Sequence, residues 1–254
     1  MFKNILICIS GMLILFSNAV IAQVNLTAET ASPGGATHLS PAHMTEIAGT
    51  NGIANIQLAD GQTLTNSIQN VAEGKTDIAG TPYILPFLMS RGVGPYGSLG
   101  KEKGAELAGN LRTINPFTLG IFFLYAYDAK NIGGWDDLEG RKIYNGPPRG
   151  GALTNARSMI QIITGLKDGD GYEGLQVNWG QQITLVTSGE PDAMVLPELF
   201  PGANLTSSTA AGKMTGWSMP KTVYEGEAMQ NYMQSPGSAP FTIELAKLNT
   251  IMGD

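Results

Sequence analysis

One stretch of sequence predicts how the rest of the chain is built: Tyr144-Asn145-Gly146-Pro147-Pro148-Arg149-Gly150-Gly151-Ala152-Leu153-Thr154-Asn155. It follows a strand-like run, Arg141 to Tyr144, and leads into a helix-like run, Ala152 to Thr164. Glycines let a backbone turn tightly and approach a ligand, and the start of a helix offers unpaired N–H donors to an anion. Arg149 lies in the turn, where its guanidinium could hold a carboxylate through two parallel hydrogen bonds. The stretch therefore predicts a strand, a turn and a helix, with an anion site at the turn.

A second turn of the same form, without the arginine, lies earlier in the chain at Ser32-Pro33-Gly34-Gly35-Ala36-Thr37. Strand-like and helix-like runs alternate around it. The predicted elements are a strand at 24–28, a helix at 39–47, a strand at 54–59, a helix at 64–71 and a short strand at 77–80. Pro41 is expected near the start of the first helix, because proline lacks the N–H that a helix interior uses. Such alternation is typical of an α/β lobe with a mainly parallel sheet.

The second half of the chain repeats this pattern at a nearly constant offset. Positions that match at an offset of 115 are Ile68 and Ile183, Val71 and Val186, Gly74 and Gly189, and Asp77 and Asp192. Gly34-Gly35-Ala36 matches Gly150-Gly151-Ala152 at an offset of 116, and the strand 56–59 is matched with 175–178. A period this long is not that of a solenoid, so we predict two copies of one lobe, with equivalent strands starting at the two aspartates.

The segments between and after the two copies predict the boundaries of the lobes. Residues 113–128 are rich in aromatic and branched side chains, and we predict strands there that cross between the lobes as part of a hinge. Residues 92–109 are glycine-rich and predict a surface connection, residues 199–215 predict a loop, and residues 223–233 predict a helix. The predicted units are lobe I at 23–115, lobe II at 116–215 and a C-terminal return segment at 216–254.

The N-terminus has the pattern of a cleavable secretory signal. Lys3 precedes an apolar run from Ile5 to Phe16, and small residues up to Ala22 suit a cleavage site. The apolar run is too short to span a membrane. Cys8, the one cysteine in the sequence, would leave with this segment, so the exported protein would hold no thiol or disulfide. We therefore predict a signal peptide at 1–22 and a periplasmic location.

The composition is that of a globular chain with few charges. Of 254 residues, 43% are hydrophobic and 14% are charged, and this length is enough for two modest domains. The chain holds 15 basic and 21 acidic residues, and removal of Lys3 with the signal changes the net charge from −6 to −7. A negative chain of this kind is not expected to bind nucleic acid.

Several patterns that would indicate catalysis or metal binding are incomplete. His38 and His43 are five positions apart, out of register for one helix face, so no metal site is predicted. Asp168-Gly169-Asp170-Gly171 would need a carboxylate where Trp179 stands to form a calcium loop, so a helix-to-strand turn is predicted instead. The sequence holds no Gly-x-Ser-x-Gly motif, and Ser32-Pro33-Gly34-Gly35 is neither a phosphate loop nor a dinucleotide fingerprint. We therefore predict that the protein is not an enzyme and has no cofactor.

The order of several short motifs resembles a family of transport receptors. The motifs are the N-terminal signal, Ser32-Pro33-Gly34-Gly35, Glu73-Gly74-Lys75-Thr76-Asp77, Asp137-Leu138-Glu139-Gly140-Arg141-Lys142-Ile143, and Gly146-Pro147-Pro148-Arg149-Gly150-Gly151. Over Val24 to Met194 this set resembles periplasmic solute-binding proteins. More narrowly, it resembles the extracytoplasmic receptors of tripartite ATP-independent periplasmic (TRAP) transporters, closest to the TAXI subgroup.

The resemblance implies a two-lobe, type II-like periplasmic binding fold, in which each lobe is a mainly parallel sheet with flanking helices and the cleft lies between the lobes. It also implies capture of a small organic acid, a carboxylate, and its delivery to an integral membrane permease driven by an ion gradient. Receptors of this family usually continue beyond the length of this chain, so a short or truncated form is implied. The alternatives are an exported enzyme acting on a small anion in the same cleft and a sensory ligand-binding domain of the same fold.

The glycine turns and the strand ends supply the candidate ligand-binding residues. They are Arg149, Gly150, Gly151, Thr154, Asn155, Ser32, Gly34, Gly35, Thr37, Trp179 and Tyr83. Arg149 is predicted to anchor the ligand carboxylate, with a solvated turn arginine as the alternative. The serine, threonine and asparagine residues could instead cap helices, and the two aromatic residues could instead pack in a core. Arg157, two turns into the helix, is predicted to be exposed or to brace its lobe rather than to bind the ligand.

Overall fold

The computed structural model describes residues 23–148, 150–244 and 247. Two β-sheets organise this part of the chain, one of three strands and one of six, and helices flank both. The strand pairs of the first sheet are parallel, and three of the five pairs in the second sheet are parallel. The prediction of an α/β fold with mainly parallel sheets and flanking helices is therefore confirmed. The predicted signal peptide and Arg149 lie outside the described residues.

The first sheet and its helices form what we call lobe I. Its strands, in the order β2-β1-β3, are β1 (Val24–Glu29), β2 (Ala54–Ala59) and β3 (Ile78–Ala79). Helix α1 (Ala36–Thr50) connects β1 to β2, and α2 (Leu64–Ala72) connects β2 to β3. The side chains of one sheet face pack with α1 into a small core of alanine, leucine and isoleucine.

Helix α1 begins three residues before the predicted start, so Pro41 lies inside it. The Thr37 carbonyl, to which residue 41 would donate if it were not proline, lies against the backbone of Gly80 directly after β3. A Cβ atom at Gly80 would also come 2.7 Å from Cγ of Pro41. The proline is therefore tolerated where the end of β3 passes close to the helix.

The surface connection predicted at 92–109 is instead helical and packed. Helix α3 (Ile84–Arg91) is followed by a 3-10 turn at Gly94–Leu99 and by helix α4 (Gly100–Gly109). Gly104 lies so close to α3 that an added Cβ atom would collide with the carbonyl oxygen of Met89. The glycines of this segment thus permit close helix packing, a use that sequence pattern does not separate from a loop.

The second sheet has the order β6-β7-β5-β8-β4-β9. Its strands are β4 (Ile121–Tyr127), β5 (Lys142–Tyr144), β6 (Lys167–Asp168), β7 (Gly171–Leu175), β8 (Ala193–Glu198) and β9 (Met214–Trp217). Strand β4 is antiparallel to both of its neighbours, β8 and β9. The helices of this part are α5 (Gly151–Thr164), α6 (Gln182–Ser188) and α7 (Ala203–Ala211). We call this sheet and these helices lobe II.

Lobe II has a core on each face of its sheet. Alternate residues of β4 and β8, such as Leu124 and Val195, pack with α5 on one face. The residues between them, such as Tyr125 and Leu196, pack with α6 and α7 on the other face. This alternation is the period of two expected for a strand that is covered on both sides. In the described part of the chain, no helix is long and apolar enough to cross a membrane.

The two lobes repeat one arrangement, as the sequence offset predicts. In lobe I the strand order β2-β1-β3 follows the path β1, α1, β2, α2, β3, and in lobe II the order β7-β5-β8 follows the path β5, α5, β7, α6, β8, with the two-residue β6 between α5 and β7. Gly74 and Gly189 follow equivalent helices, and each has a φ of 73°. Glycine is favoured at both positions because a left-handed residue ends the helix there.

The two aspartates at offset 115 make the same backbone contacts in each lobe. The Asp77 carboxylate accepts the N–H of Thr27 at 2.8 Å, and the Asp77 N–H donates to the Thr27 carbonyl at 3.2 Å. The Asp192 carboxylate accepts the N–H of Lys142 at 2.9 Å, and the Asp192 N–H donates to the Lys142 carbonyl at 2.8 Å. The predicted equivalence of these strand starts is therefore confirmed.

The match of 56–59 with 175–178 is wrong by three residues. Thr27 pairs with Gln57, and its equivalent Lys142 pairs with Glu173, so the true offset is 116 and the strand ends at Leu175. Beyond that point the chain leaves the sheet, and the Gln176 side chain donates to Oδ1 of Asn145 at 2.8 Å. Trp179–Gln181 then forms a 3-10 turn, so Trp179 does not end a strand as predicted. Polar and apolar residues alternate after 175, and this period of two predicts a strand that the structure does not form there.

Three further predictions differ from the structure. Residues 113–128 contain one strand, β4, which belongs to the second sheet and follows an irregular segment at 111–120. The loop predicted at 199–215 contains helix α7 and the start of β9. The sequence does not predict this helix because its small residues, which come directly after the N-cap Gly202, show no periodic apolar pattern. The helix predicted at 223–233 is two helices, α8 (Lys221–Tyr224) and α9 (Glu227–Met233), which Gly226 separates.

Candidate functional site

A small cavity lies where the first turn of α1 meets the carboxyl end of β8 and the start of α7. Its lining residues are Gly34, Gly35, Ala36, Leu119, Pro197, Glu198, Leu199, Gly202, Ala203 and Asn204. Its volume is about 30 Å³, room for roughly one water molecule. Ligands of open α/β sheets bind outside the carboxyl ends of the strands, and the carboxyl ends of β1 and β8 both open here. We therefore take this cavity as the candidate site.

Lobe I contributes the start of α1 to the cavity. Gly34 has a φ of 93°, which favours glycine, and Gly35 is the N-cap in an extended conformation. No side chain of the described residues caps this helix. An uncapped start leaves the first N–H groups of a helix to solvent or to an anion. The turn can therefore present backbone donors to a ligand.

Lobe II contributes the start of α7 and the end of β8. Gly202 is the N-cap of α7, again in an extended conformation and without a side-chain cap among the described residues. An added Cβ atom at Gly202 would come 2.5 Å from the Leu199 carbonyl oxygen, so glycine lets the chain turn tightly between β8 and α7. The sequence pattern predicts a loop in this segment, and for that reason does not predict this second helix start.

Glu198, the last residue of β8, carries the only charge among the described lining residues. Its side chain is 3% exposed. The Tyr125 hydroxyl donates to its Oε1 at 2.6 Å, and Nε2 of Gln182 donates to the same oxygen at 2.7 Å. The Gln182 Oε1 accepts from Nδ2 of Asn204 at 3.1 Å. One hydrogen-bonded chain thus connects β4, β8, α6 and α7 beside the cavity.

Burial shifts the pKa values of the titratable side chains in and beside this hydrogen-bonded network. Burial raises the pKa of Glu198 to about 7, although the hydrogen bonds from Tyr125 and Gln182 act in the opposite direction. Burial, and to a smaller extent the nearby charge of Glu198, raises the pKa of Tyr125 well above its usual value. The same two causes raise the pKa of Tyr144. The tyrosines therefore stay neutral near pH 7 and act as donors, while Glu198 can gain or lose a proton.

The structure brings two of the sequence-predicted residues, Gly34 and Gly35, to this cavity. Ser32 and Thr37, in the same turn, are half-buried and are not among its lining residues. The capping interpretation is wrong for all four polar candidates, because the N-caps of α1 and α5 are Gly35 and Gly150 with no side-chain cap. A glycine in an extended or positive-φ conformation provides the turn without a capping oxygen.

The predicted residues at the start of α5 lie apart from the cavity lining. Gly150 is the N-cap, with a φ of 108°, and Gly151 is the first residue of the helix. The Thr154 hydroxyl donates to the Gly150 carbonyl at 3.3 Å, and Asn155 is half-buried one residue further on. Arg149 lies outside the described residues. At this cavity, α1 therefore meets α7 rather than α5.

The two aromatic candidates have different environments. Trp179 is half-buried and packs against the core between the second sheet and α6, as the packing alternative predicts. Tyr83 is 62% exposed at the start of α3. A Cβ atom at Gly237 would come 3.3 Å from Cβ of Tyr83, so the C-terminal segment passes beside this tyrosine. Neither aromatic ring is part of the cavity lining.

Arg157 has an internal partner. Its Nε and Nη2 atoms donate to Oδ2 of Asp168 at 2.8 and 2.6 Å. Asp168 also accepts from Nδ2 of Asn145 at 3.1 Å and from the Gly174 N–H at 2.9 Å. Partial burial would raise the pKa of Asp168, but the hydrogen bonds from Arg157 and Asn145 outweigh it and lower the pKa. These contacts favour the bracing interpretation of Arg157, since they connect α5 to the turn before β7.

A second, larger cavity of about 410 Å³ lies elsewhere on lobe II. It is lined by Tyr127, Asp128, Ala129, Lys130, Thr187, Gly189, Ala211, Gly212 and Lys213. These residues follow the antiparallel strand β4 and the last turns of α6 and α7, so this cavity is at the amino ends of the parallel strands. That is the end of an α/β sheet opposite to the usual ligand site. The described residues also include no cluster of three or more His, Cys, Asp or Glu side chains suited to a metal ion.

The similarity of this chain to known proteins is found among solved structures and is one of fold. No family model and no curated protein matches the chain. The aliphatic sulphonate binding protein SsuA from Escherichia coli is 14% identical, with a TM-score of 0.46 over 76% of this chain. SsuA from Xanthomonas axonopodis pv. citri bound to MOPS is 14% identical, with a TM-score of 0.49 over 84% of this chain. A TRAP periplasmic solute binding protein from Sulfitobacter sp. NAS-14.1 with bound β-D-galacturonate is 14% identical, with a TM-score of 0.43 over 74% of this chain.

The chain is shorter than these proteins. It spans 56% of the length of the first, 71% of the second and 66% of the third.

Proposed function

We propose that this chain is an exported receptor that captures a small organic carboxylate and delivers it to an integral membrane permease of the TRAP type. The observation that carries the proposal is the cavity between the uncapped start of α1 in lobe I and the start of α7 in lobe II. Two helix starts that face one cavity from different lobes suit an anion, because both present N–H groups and the positive ends of their dipoles.

The size of the cavity indicates how a ligand would enter. At about 30 Å³ it is smaller than the roughly 300–1,000 Å³ of small-molecule sites. A ligand therefore needs the lobes to move apart, and closure would then remove it from water. Ionic contacts strengthen as water leaves, since the effective dielectric constant falls. The segment 111–120, which leads into β4 and contributes Leu119, is where we place part of the hinge.

We add Arg149 to the proposed site on the basis of its position in the sequence. It immediately precedes Gly150, the N-cap of α5, and its guanidinium suits a carboxylate in two parallel hydrogen bonds. We propose that a ligand admitted when the lobes part contacts this turn in addition to the starts of α1 and α7. Gly150, Gly151, Thr154 and Asn155 are the accompanying residues that we propose from the same turn.

A ligand screen tests the proposal. The mature chain, beginning at Gln23, is heated with each of a set of organic acids, amino acids, sulfonates and neutral sugars. A ligand present at 100 times its dissociation constant should add about 2.7 kcal/mol to the free energy of unfolding and so raise the melting temperature. We expect carboxylates to do so and neutral sugars not to. Stabilisation by sulfonates alone would contradict the carboxylate, and the absence of any stabilising anion would contradict a receptor for anions.

A further inference from the structure

The candidate cavity holds an acid where an anion receptor would be expected to hold bases. Among its described lining residues, Glu198 is the only one with a charged side chain. An ionised Glu198 would repel a carboxylate placed beside it. This side chain therefore suits a part of the ligand other than its carboxylate.

The two carboxylate oxygens of Glu198 differ in the number of hydrogen bonds that they accept from the described residues. Both hydrogen bonds, from Tyr125 and Gln182, end on Oε1. No described residue donates to Oε2. Among the described residues, the one fully enclosed side-chain nitrogen or oxygen without a partner is Nδ1 of His38, so Oε2 of Glu198 is not sealed inside the protein. Glu198 lines the cavity and is otherwise buried, so the cavity is the side from which a ligand would reach this oxygen.

The partners of Glu198 also fix its position. Tyr125 lies on β4, in the centre of the sheet, and Gln182 is held in turn by Asn204 on α7. The side chain is thus held in one orientation, and an ionised Glu198 can only accept hydrogen bonds through its second oxygen. A ligand group that suits it is a cationic donor, which gains a charge-assisted hydrogen bond.

We propose that Glu198 binds the amino group of the ligand, so that the captured solute is a small carboxylate with a protonated amine, such as an amino acid. This inference rests on the proposed function and assigns a substrate class to the same site. The carboxylate of such a zwitterion would be shared by the helix starts of α1 and α7 and the proposed Arg149 contact, while its ammonium would lie against Oε2 of Glu198. A keto acid or hydroxy acid of the same skeleton would leave that oxygen without a cation.

The proposal predicts a direction of pH dependence. The titratable groups that face Glu198 are Tyr125 on β4 and Tyr144 on β5, whose pKa values burial holds above the usual range. Helices α6 and α7 contribute Gln182 and Asn204, which do not titrate. Burial places the pKa of Glu198 at about 7 in the free protein, and a bound ammonium would favour its ionised form. Affinity for an amino acid should therefore rise between pH 5.5 and pH 8, with release of a proton on binding.

Calorimetric titration of the mature chain with matched pairs tests the assignment. The pairs are L-alanine with pyruvate, L-glutamate with 2-oxoglutarate, and L-leucine with 4-methyl-2-oxopentanoate. For at least one pair we expect the amino acid to bind about tenfold or more tightly than its oxo acid, the worth of one charge-assisted hydrogen bond. Glu198→Gln, which keeps the size of the side chain, should weaken amino acid binding roughly 30-fold and leave oxo acids unchanged or tighter.

Tyr125→Phe is the control variant, because it removes a donor to Oε1 and leaves Oε2 in place. Its effect on amino acid affinity should be clearly smaller than that of Glu198→Gln. Oxo acids that bind as tightly as their amino acids, with Glu198→Gln unaltered, would overturn this inference and leave the proposed function standing. No binding of either class would overturn this inference, whereas the proposed function is decided by the wider ligand screen. Should Glu198→Gln not fold, wild-type affinity for an amino acid that falls or stays constant from pH 5.5 to pH 8 would overturn the inference.

Discussion

Arg149 is the side chain on which the proposed carboxylate contact depends most. Arg149→Lys keeps the positive charge and loses the planar fork, so it should weaken binding by about 1–3 kcal/mol. Arg149→Ala should weaken it further, because the carboxylate would enter a dry cleft with only neutral donors. The measurement is titration calorimetry with an acid that the ligand screen identifies.

Arg91→Ala is the matched control for that experiment. Arg91 lies at the end of α3, with its guanidinium carbon 4.2 Å from the centre of the Phe87 ring, and it lies outside the cavity lining. We expect its affinity to equal that of the wild type. If Arg149→Ala also binds normally, the carboxylate is held by the helix starts of α1 and α7, and the arginine clamp must be abandoned.

Gly80 offers a test of the packing between α1 and the end of β3. An added Cβ atom would collide with the Thr37 carbonyl and come 2.7 Å from Cγ of Pro41, so Gly80→Ala should lower the free energy of unfolding by about 1–3 kcal/mol. Gly49→Ala, on the same helix, would meet nothing within 4 Å and should instead stabilise by about 0.4–1 kcal/mol. Urea unfolding of both variants measures the difference. Equal effects would contradict the close contact at Gly80.

At the scale of single residues, the sequence predicts backbone roles better than side-chain roles. Gly34 and Gly35 could be placed at a ligand-facing turn because paired glycines before a helix indicate a tight turn. Glu198 could not, because it ends a buried strand and its partners, Tyr125 and Gln182, are 73 and 16 positions away in the sequence. A polar residue at the carboxyl end of an apolar strand was the available signal.

At the scale of elements, patterns tied to backbone geometry could be predicted and patterns tied to packing could not. The glycine and aspartate pairs at offset 115 identify equivalent helix ends and strand starts, since each has one conformational or hydrogen-bonding role. Helices α4 and α7 are rich in glycine, alanine, serine and threonine, whose sequences lack a clear apolar period. Their stability comes from contacts with neighbouring helices, which no local pattern records.

The ion pair between Arg157 and Asp168 joins α5 to the turn before β7 and gives a prediction at this scale. The pKa of Asp168 is lowered in the folded protein, so its stabilising contribution is present above the unfolded pKa and is lost as pH falls through the folded value. Asp168→Asn should therefore reduce stability at pH 7, and the difference from wild type should shrink below about pH 4. Thermal melts across this range measure it.

Asp170→Asn is the control for the ion pair, because Asp170 is exposed two positions further along the same turn. Its melting temperature should follow that of the wild type at every pH. A difference between Asp168→Asn and wild type that stays constant down to pH 3 would show that the charge of Asp168 is not the source of the stability.

At the scale of the whole molecule, the sequence predicts two equivalent lobes but not how they meet. The repeat implies that the starts of α1 and α5 are equivalent, and this led to the expectation that both face one cleft. The structure instead places the start of α7 opposite that of α1 at the cavity. Helix α7 follows β8, beyond the positions that the offset matches, so the offset could not indicate its position. The contact between the lobes therefore combines elements of the repeat, the start of α1 and the end of β8, with a helix beyond the matched positions.

Crosslinking between the lobes tests whether they move. Ala36 and Ala203 line the same cavity from lobe I and lobe II, and residues 23–254 include no cysteine. In a chain with Ala36→Cys and Ala203→Cys, the two thiols should form a disulfide faster when the bound acid keeps the lobes closed. A chain with Ala36→Cys and Thr187→Cys, where Thr187 lines the larger cavity, should not be crosslinked. Crosslinking at the same rate with and without a bound acid would mean that the lobes do not close on the ligand.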